Sequence, residues 1–307
     1  MSYRTMRWTM ALTLTALPAG MHAQAAMDTV QITAQKLSER VYVLFGSGGN
    51  IGLSIGDDGA FIVDDQFAPL SERIKAAIAK LTPKPVRFVV NTHWHGDHVG
   101  GNELMGQAGA VIVAHENVRK RMSVEQAMVR GGQTTKVPAS PHAALPVLTF
   151  TQDVTLHLNG DSVYVVHVPP AHTDGDAIIF YEKANVLHMG DTFFNGRYPF
   201  IDTSSGGTID GIVAAADRAL ALSNADTQFI PGHGAVAKRA DLQAYRDAMS
   251  QIRGRILKSV LAGKSTKQVL AEKPTAQWDD AWGKGFITGE SLTQTIFDDL
   301  KSRGVKH

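Results

Sequence analysis

The chain has 307 residues, 30 basic against 29 acidic side chains for a formal charge of +1, twelve histidines and no cysteine. An apolar fraction of 44% against 19% charged residues supplies an ample core and excludes a wholly disordered or collagen-like chain. Without cysteine there is no disulfide framework, iron–sulfur cluster, thiolate zinc site or cysteine nucleophile, and the balanced charge leaves no electrostatic footprint for nucleic acid.

Arg4 and Arg7 precede a moderately apolar stretch from Trp8 to Leu17, followed by the small-residue pattern Ala23-Gln24-Ala25. That is the layout of a secretory signal peptide, whose apolar part of about 10 residues falls short of the ~20 a spanning helix needs. We expect cleavage after Ala25 or nearby Ala23, export to a periplasm or beyond, and no stable membrane insertion afterwards. Residues 26–240 then read as one domain and 241–307 as a helical extension packed on it.

Short apolar runs at Val41–Phe45, Ile51–Ile55 and Ala60–Val63, separated by glycines and the Asp57-Asp58-Gly59 turn, predict an antiparallel meander. Helical spacing of Leu70, Ile74, Ala77, Ile78 and Leu81 predicts a helix from Pro69 to Leu81. Strands follow at Val86–Val90 and Ala110–Val113, then a helix over Glu116–Met128. Gly131–Pro146, with three prolines, reads as a loop long enough to carry function. Further strands are predicted at Val154–Leu158, Val163–Val168, Ala177–Tyr181, Val186–Met189 and Gln228–Ile230, with a helix over Ile209–Leu222. From Arg239 onward the chain reads as mainly helical. Strands then a helix, twice over, predict an α/β protein of two stacked sheets with helices outside.

The chemistry concentrates after the Val86–Val90 strand, in His93-Trp94-His95-Gly96-Asp97-His98. His93 and His95 are two apart, so in extended backbone they leave the same face. Gly96 permits a sharp turn that aims Asp97 and His98 at a second point nearby. Imidazole nitrogen and carboxylate oxygen are the ligands zinc accepts once thiolate is absent. His172, Asp191 and His233 each follow a predicted strand in a Gly- or Pro-rich loop, where a rigid scaffold presents functional groups.

His93-x-His95-x-Asp97-His98 after a strand resembles the signature of the metallo-β-lactamase fold superfamily. His172 in Pro169-Pro170-Ala171-His172-Thr173-Asp174-Gly175-Asp176, Asp191 in Leu187-His188-Met189-Gly190-Asp191-Thr192 and His233 in Pro231-Gly232-His233-Gly234 repeat its later landmarks in order. The resemblance covers about residues 30 to 240. It implies an αββα four-layer sandwich with the metals in a cleft at one edge. It also implies two zinc ions, one held by His93, His95 and His172, the other by Asp97, His98 and His233, with Asp191 bridging. Such a pair, roughly 3.5–4 Å apart, activates a water at neutral pH and polarises a carbonyl, so the expected reaction is hydrolysis of an acyl bond in a small molecule. Asp97 is the expected catalytic residue, orienting that water as well as binding metal.

Asp191 and the missing cysteine pull the resemblance toward ester, lactone or thioester hydrolases. β-Lactam hydrolysis is the alternative, and a non-catalytic zinc-binding protein the contrasting class. His115, His157, His167 and His188 read as structural rather than as ligands. Asp174 and Asp176 read either as turn residues or as groups orienting His172. Gly46-x-Gly48-Gly49 lacks a following helix and is not a phosphate loop. Phe67, Trp94, Phe193, Phe194, Tyr198 and Phe200 are candidates for an apolar pocket wall, with core packing the default for each except Trp94.

Overall fold

Alternation along the strands decides the layering. In Gly59–Val63, Phe61 and Val63 point one way while Ala60 and Ile62 point the other, and all four are buried. A strand buried on both faces must be covered twice, and a computed structural model of residues 27–130 and 132–304 shows how. The leader expected over 1–25 lies outside the described residues.

The first sheet runs, in spatial order, through β1 (Thr33–Lys36), β2 (Val41–Phe45), β3 (Ile51–Gly56), β4 (Gly59–Val63), β5 (Val86–Val90), β6 (Val111–His115) and β9 (Leu148–Phe150). Its first four strands form an antiparallel meander, and β4, β5, β6 and β9 run parallel. The second sheet comprises β10 (Asp153–Leu158), β11 (Asp161–His167), β12 (Ala177–Tyr181), β13 (Val186–His188), β14 (Gln228–Ile230) and β15 (Ala237–Lys238). Its one parallel pair is β13 with β14.

Between the sheets, Val43, Phe61, Val63 and Val90 pack on Val163, Val165, Ile179 and Tyr181. On the outer face of the first sheet, Leu53, Ile62 and Val89 meet Ile74 and Ile78 of the helix Ser71–Ala79. On the outer face of the second, Ile178 and Leu187 meet Ile212 and Ala216 of the helix Ile209–Leu222. The long helix Arg239–Leu261 adds Tyr245, Met249 and Ile252 to that layer, and Leu292 and Ile296 of the helix Gly289–Ser302 pack there too. The result is a helix–sheet–sheet–helix sandwich, as expected. Among the described residues no helix is long and apolar enough to cross a membrane.

Two local expectations need correction. The helix predicted over Glu116–Met128 ends at Met122, and the chain continues into a hairpin of β7 (Gln126–Arg130) and β8 (Gln133–Val137). Met128 packs with the Trp94 cluster while the next residue, Val129, faces solvent, which is strand alternation rather than helical spacing. Gly132 takes φ +76 at the turn, a conformation glycine favours. Half of the span read as a 131–146 loop is therefore regular structure, β8 and a short turn at His142–Ala144.

Candidate metal centre

Each of the seven predicted residues stands just beyond a strand, at one edge of the sandwich. His93 and His95 follow β5, and Asp97 and His98 open the one-turn helix Gly96–Val99. His172 sits between β11 and β12, Asp191 in the turn after β13, and His233 after β14. The structure brings all seven together. Donor atoms of His93, His95 and His172 lie within 4.8 Å of one another, as do those of His93, His98 and Asp191, and those of Asp97, His98 and His233. Asp191 sits in the middle. Its Oδ1 is 3.1 Å from His98 Nε2, and its Oδ2 is 3.5 Å from His172 Nε2 and 3.4 Å from His233 Nε2.

Hydrogen bonds behind four of the imidazoles fix which nitrogen is left to face the centre. Asp64 is held ahead of β5 at φ +63, and its carboxylate accepts from Thr92 N (2.8 Å), Thr92 Oγ1 (2.7 Å) and His98 Nδ1 (2.7 Å). Because Thr92 Oγ1 donates to Asp64, it accepts from His93 Nδ1 at 3.0 Å. The carbonyl of Phe200 accepts from His172 Nδ1 (2.7 Å), and Asp202 Oδ2 accepts from His95 Nε2 (3.0 Å). Hence the atoms left to face the centre are Nε2 of His93, His98 and His172 and Nδ1 of His95, since the bond at the second nitrogen sets the ring's orientation and, in the neutral ring, its tautomer.

These atoms fit a metal. Nε2 of His93 is buried with no hydrogen-bond partner, and the buried Nε2 of His98 and Oδ1 of Asp191 have only each other, at 3.1 Å. An orphan costs about 1–3 kcal/mol, so donor atoms crowded on one space call for a common partner. Nitrogen and carboxylate oxygen are a donor set zinc accepts.

Electrostatics differ across the centre. Burial and the surrounding imidazoles hold His93 well below its ordinary pKa, and burial with His95 beside it lowers His172 to about 4. At His98 and His233 burial also opposes charge, but Asp191 and Asp97 outweigh it, raising His98 and holding His233 at about 9. Burial works against ionising the carboxylates as well. His233 and His98 nonetheless hold Asp191 low, and the same pair brings Asp97 to about 2. Solvent reaches the centre from one side: the Asp97 and His233 side chains keep 26% and 20% of their exposure, while those of His98 and His172 keep none.

Close packing depends on two glycines. A Cβ on Gly49 would lie 2.1 Å from the His98 ring, and one on Gly232 would lie 2.0 Å from Asp191 Oδ1. The Gly46–Gly49 segment thus does serve the site, by close approach to His98 rather than by cradling phosphate. Asn50 ties it to the His233 loop, its Nδ2 donating to the carbonyls of Pro231 (2.8 Å) and Gly234 (2.9 Å).

Residues read as structural are so placed in three of four cases. His188 bonds to Asn50 O (3.0 Å) and His167 to Asp176 O (2.9 Å), while His115 bonds to Thr151 O (3.3 Å). His157 lies exposed on β10. Asp176 does orient His172, accepting from its backbone N at 2.6 Å, whereas Asp174 pairs with Arg121. Trp94 is core, packed on Val118 and Met122 with Nε1 donating to Ser205 Oγ. Trp94 also meets the centre edge-on, its ring 4.9 Å from that of His95, beside Phe200, stacked on His95 at 6.0 Å, and Phe194, stacked on His233 at 5.2 Å. Asp64, Asn50 and Asp202 went unread, because a lone polar residue at a strand end or in a loop carries no spacing signal.

A two-sheet sandwich with histidine and aspartate loops gathered at one edge defines a metallo-hydrolase class of fold. The chain belongs to the metallo-beta-lactamase superfamily, whose family model matches residues 45–254. It is 30% identical over 166 residues to a hydroxyacylglutathione hydrolase of Nitrosococcus oceani, covering 54% of this chain and 55% of that protein. The chain thus spans about half the length of that relative. It is 21% identical to a type 2 metallo-beta-lactamase of Bacteroides fragilis over 71% of this chain and 85% of that one. The solved sec-alkylsulfatase Pisa1 from Pseudomonas sp. shares the fold at TM-score 0.65 and 18% identity, over 90% of this chain and 51% of that one.

Proposed function

We propose that this protein is an exported, zinc-dependent hydrolase that cleaves an acyl bond (ester, lactone, thioester or amide) in a small molecule. The observation that carries the reading is the preset donor geometry. His93, His95 and His172 would hold one zinc, Asp97, His98 and His233 the other, and Asp191 would touch both. A bound zinc pair supplies an acidified water and a Lewis acid for the carbonyl. The chain's own residues supply the rest. Asp97, ionised and on the open side, has Oδ2 within 3.3 Å of His233 Nε2, and its carboxylate can accept a hydrogen bond from the attacking water. The buried triad excludes solvent from behind, and the partly exposed Phe200, stacked on His95, gives the mouth an apolar wall. Asp191 and the hydroxyacylglutathione hydrolase relative favour ester, lactone or thioester substrates. The export reading rests on the leader-like pattern at residues 1–25.

β-Lactam hydrolysis is the second reading, favoured by the match over 85% of the Bacteroides enzyme. Zinc-loaded protein should be assayed on a nitrophenyl ester, a homoserine lactone, an acylglutathione thioester and nitrocefin, with and without EDTA. Chelator-sensitive turnover of any of the first three supports the reading, and turnover of nitrocefin alone supports the second. No turnover by zinc-loaded protein favours a non-catalytic binder.

A further inference from the structure

His95 differs from the other imidazoles locked at the centre: it faces inward with Nδ1, which lies 2.8 Å from His172 Nε2. Its outward Nε2 meets Asp202, a fully buried carboxylate. Asp202 belongs to a short segment, Phe200–Ser205, that grips two of the three residues of one triad. Phe200 O accepts from His172 Nδ1, Asp202 N donates to His172 O (3.0 Å), and Asp202 Oδ2 takes His95. No partner of this segment belongs to the Asp97, His98 and His233 triad in any of these bonds.

We propose that Asp202 is a positioning residue that commits His95 to bind through Nδ1, so that the Phe200–Ser205 segment sets the hold on the His93/His95/His172 cation alone. The inference rests on the two-zinc reading above. Asp202 Oδ1 accepts from Ser205 N (3.2 Å) and from Ser204 Oγ, while Oδ2 accepts from Ser205 Oγ and His95 Nε2. A carboxylate only accepts, so His95 must keep its proton on Nε2 and its lone pair on Nδ1.

Asparagine breaks that logic without changing the shape. Ser205 N can only donate, so the amide oxygen of Asp202→Asn is fixed at the Oδ1 position and its NH2 group faces His95. The imidazole must then accept at Nε2 and carry its proton on Nδ1, the atom that faces the cation. Ser204 links this switch to the hairpin, since its Oγ accepts from Val129 N at 3.2 Å.

The test is Asp202→Asn in the full chain, with two readouts. Nitrogen NMR of the chelator-treated protein reports whether His95 Nε2 carries a proton without metal. The parent should show a proton on Nε2 and the variant none there. Zinc retention against graded chelator should show one of two equivalents weakened about 10–100-fold and the other unchanged, the range for loss of a ligand-orienting partner. A parent His95 with no proton on Nε2, a variant that keeps both equivalents, or one that loses both together overturns the proposal. If the parent takes up no zinc, the hydrolase reading fails, while the NMR readout still decides what Asp202 does to His95. Should Asp202→Asn not fold, Ser204→Ala removes one donor to Oδ1 and should weaken the same equivalent by about threefold to tenfold. Unchanged retention there overturns the proposal as well.

Discussion

The two triads at this centre, one of three histidines and one of two histidines with an aspartate, are physically unlike. His93, His95 and His172 are closed from solvent and sit among other imidazoles, and burial holds His93 and His172 in neutral form. Asp97, His98 and His233 share two carboxylates, carry charge without metal and open to solvent through Asp97 and His233. Their supports differ too: the Phe200–Ser205 segment grips the first triad alone, while Asp64 holds His98 of the second directly and His93 of the first through Thr92. One cation is therefore expected to sit in a dry, preset socket and the other at a wet, charged rim. That asymmetry suits a hydrolase, which needs both a firm anchor and a position a substrate can reach.

The comparison breaks first at the residue both triads share. Asp191→Ala should weaken both zinc equivalents and lower kcat/KM by more than the roughly 100-fold seen when only a ligand-orienting partner is lost. Zinc analysis alongside ester hydrolysis checks this, and a variant that loses only one equivalent shows that Asp191 serves one side. Next is Asp64→Asn, the mirror of the Asp202 experiment. Thr92 N fixes the amide oxygen, its NH2 group turns toward His98 Nδ1, and the lone pair on Nε2 is lost. The second equivalent should weaken about 10–100-fold, and the first should weaken less, because Thr92 Oγ1, which donates to Asp64 Oδ2, also holds His93 Nδ1; loss of the first alone would reverse the assignment.

Gly49→Ala sharpens the comparison on the packing side. Its methyl meets the buried His98 ring, so the metal-free fold should lose about 1–3 kcal/mol in a urea titration, as overpacked sites do. Zinc retention should fall at the second triad only. The smallest effect is pH dependence. His233, at about 9, and the raised His98 are protonated at pH 7 without metal and must release protons to bind zinc. His172, at about 4, has none to release. Affinity for the second equivalent should therefore climb from pH 7 to pH 9 while that for the first stays nearly level. Calorimetry in buffers of different ionisation enthalpy measures this directly.

Much of this was legible in the sequence because the fold repeats its signals. Apolar runs of strand length, helical spacing at Ile74–Ile78 and the clustered His93–His98 motif each point the same way. The hairpin at Gln126–Val137 was hidden because Met128 continues an apolar spacing begun in the preceding helix, and only pairing across Gly132 shows the period of two. Asp64 and Asp202 were hidden for a different reason. Each acts through a contact between residues far apart in the chain, 34 positions for Asp64 with His98 and 107 for Asp202 with His95. No local pattern records such a contact. Only the folded chain does.

The most direct test of the account is a zinc titration of chelator-treated full-length protein, followed by calorimetry and by ester hydrolysis in parallel. Two equivalents per chain should bind as separable events, the proton-releasing one belonging to the open triad, with activity returning only as the second fills. Binding of one equivalent or none, or full hydrolysis before any zinc is added, would contradict it.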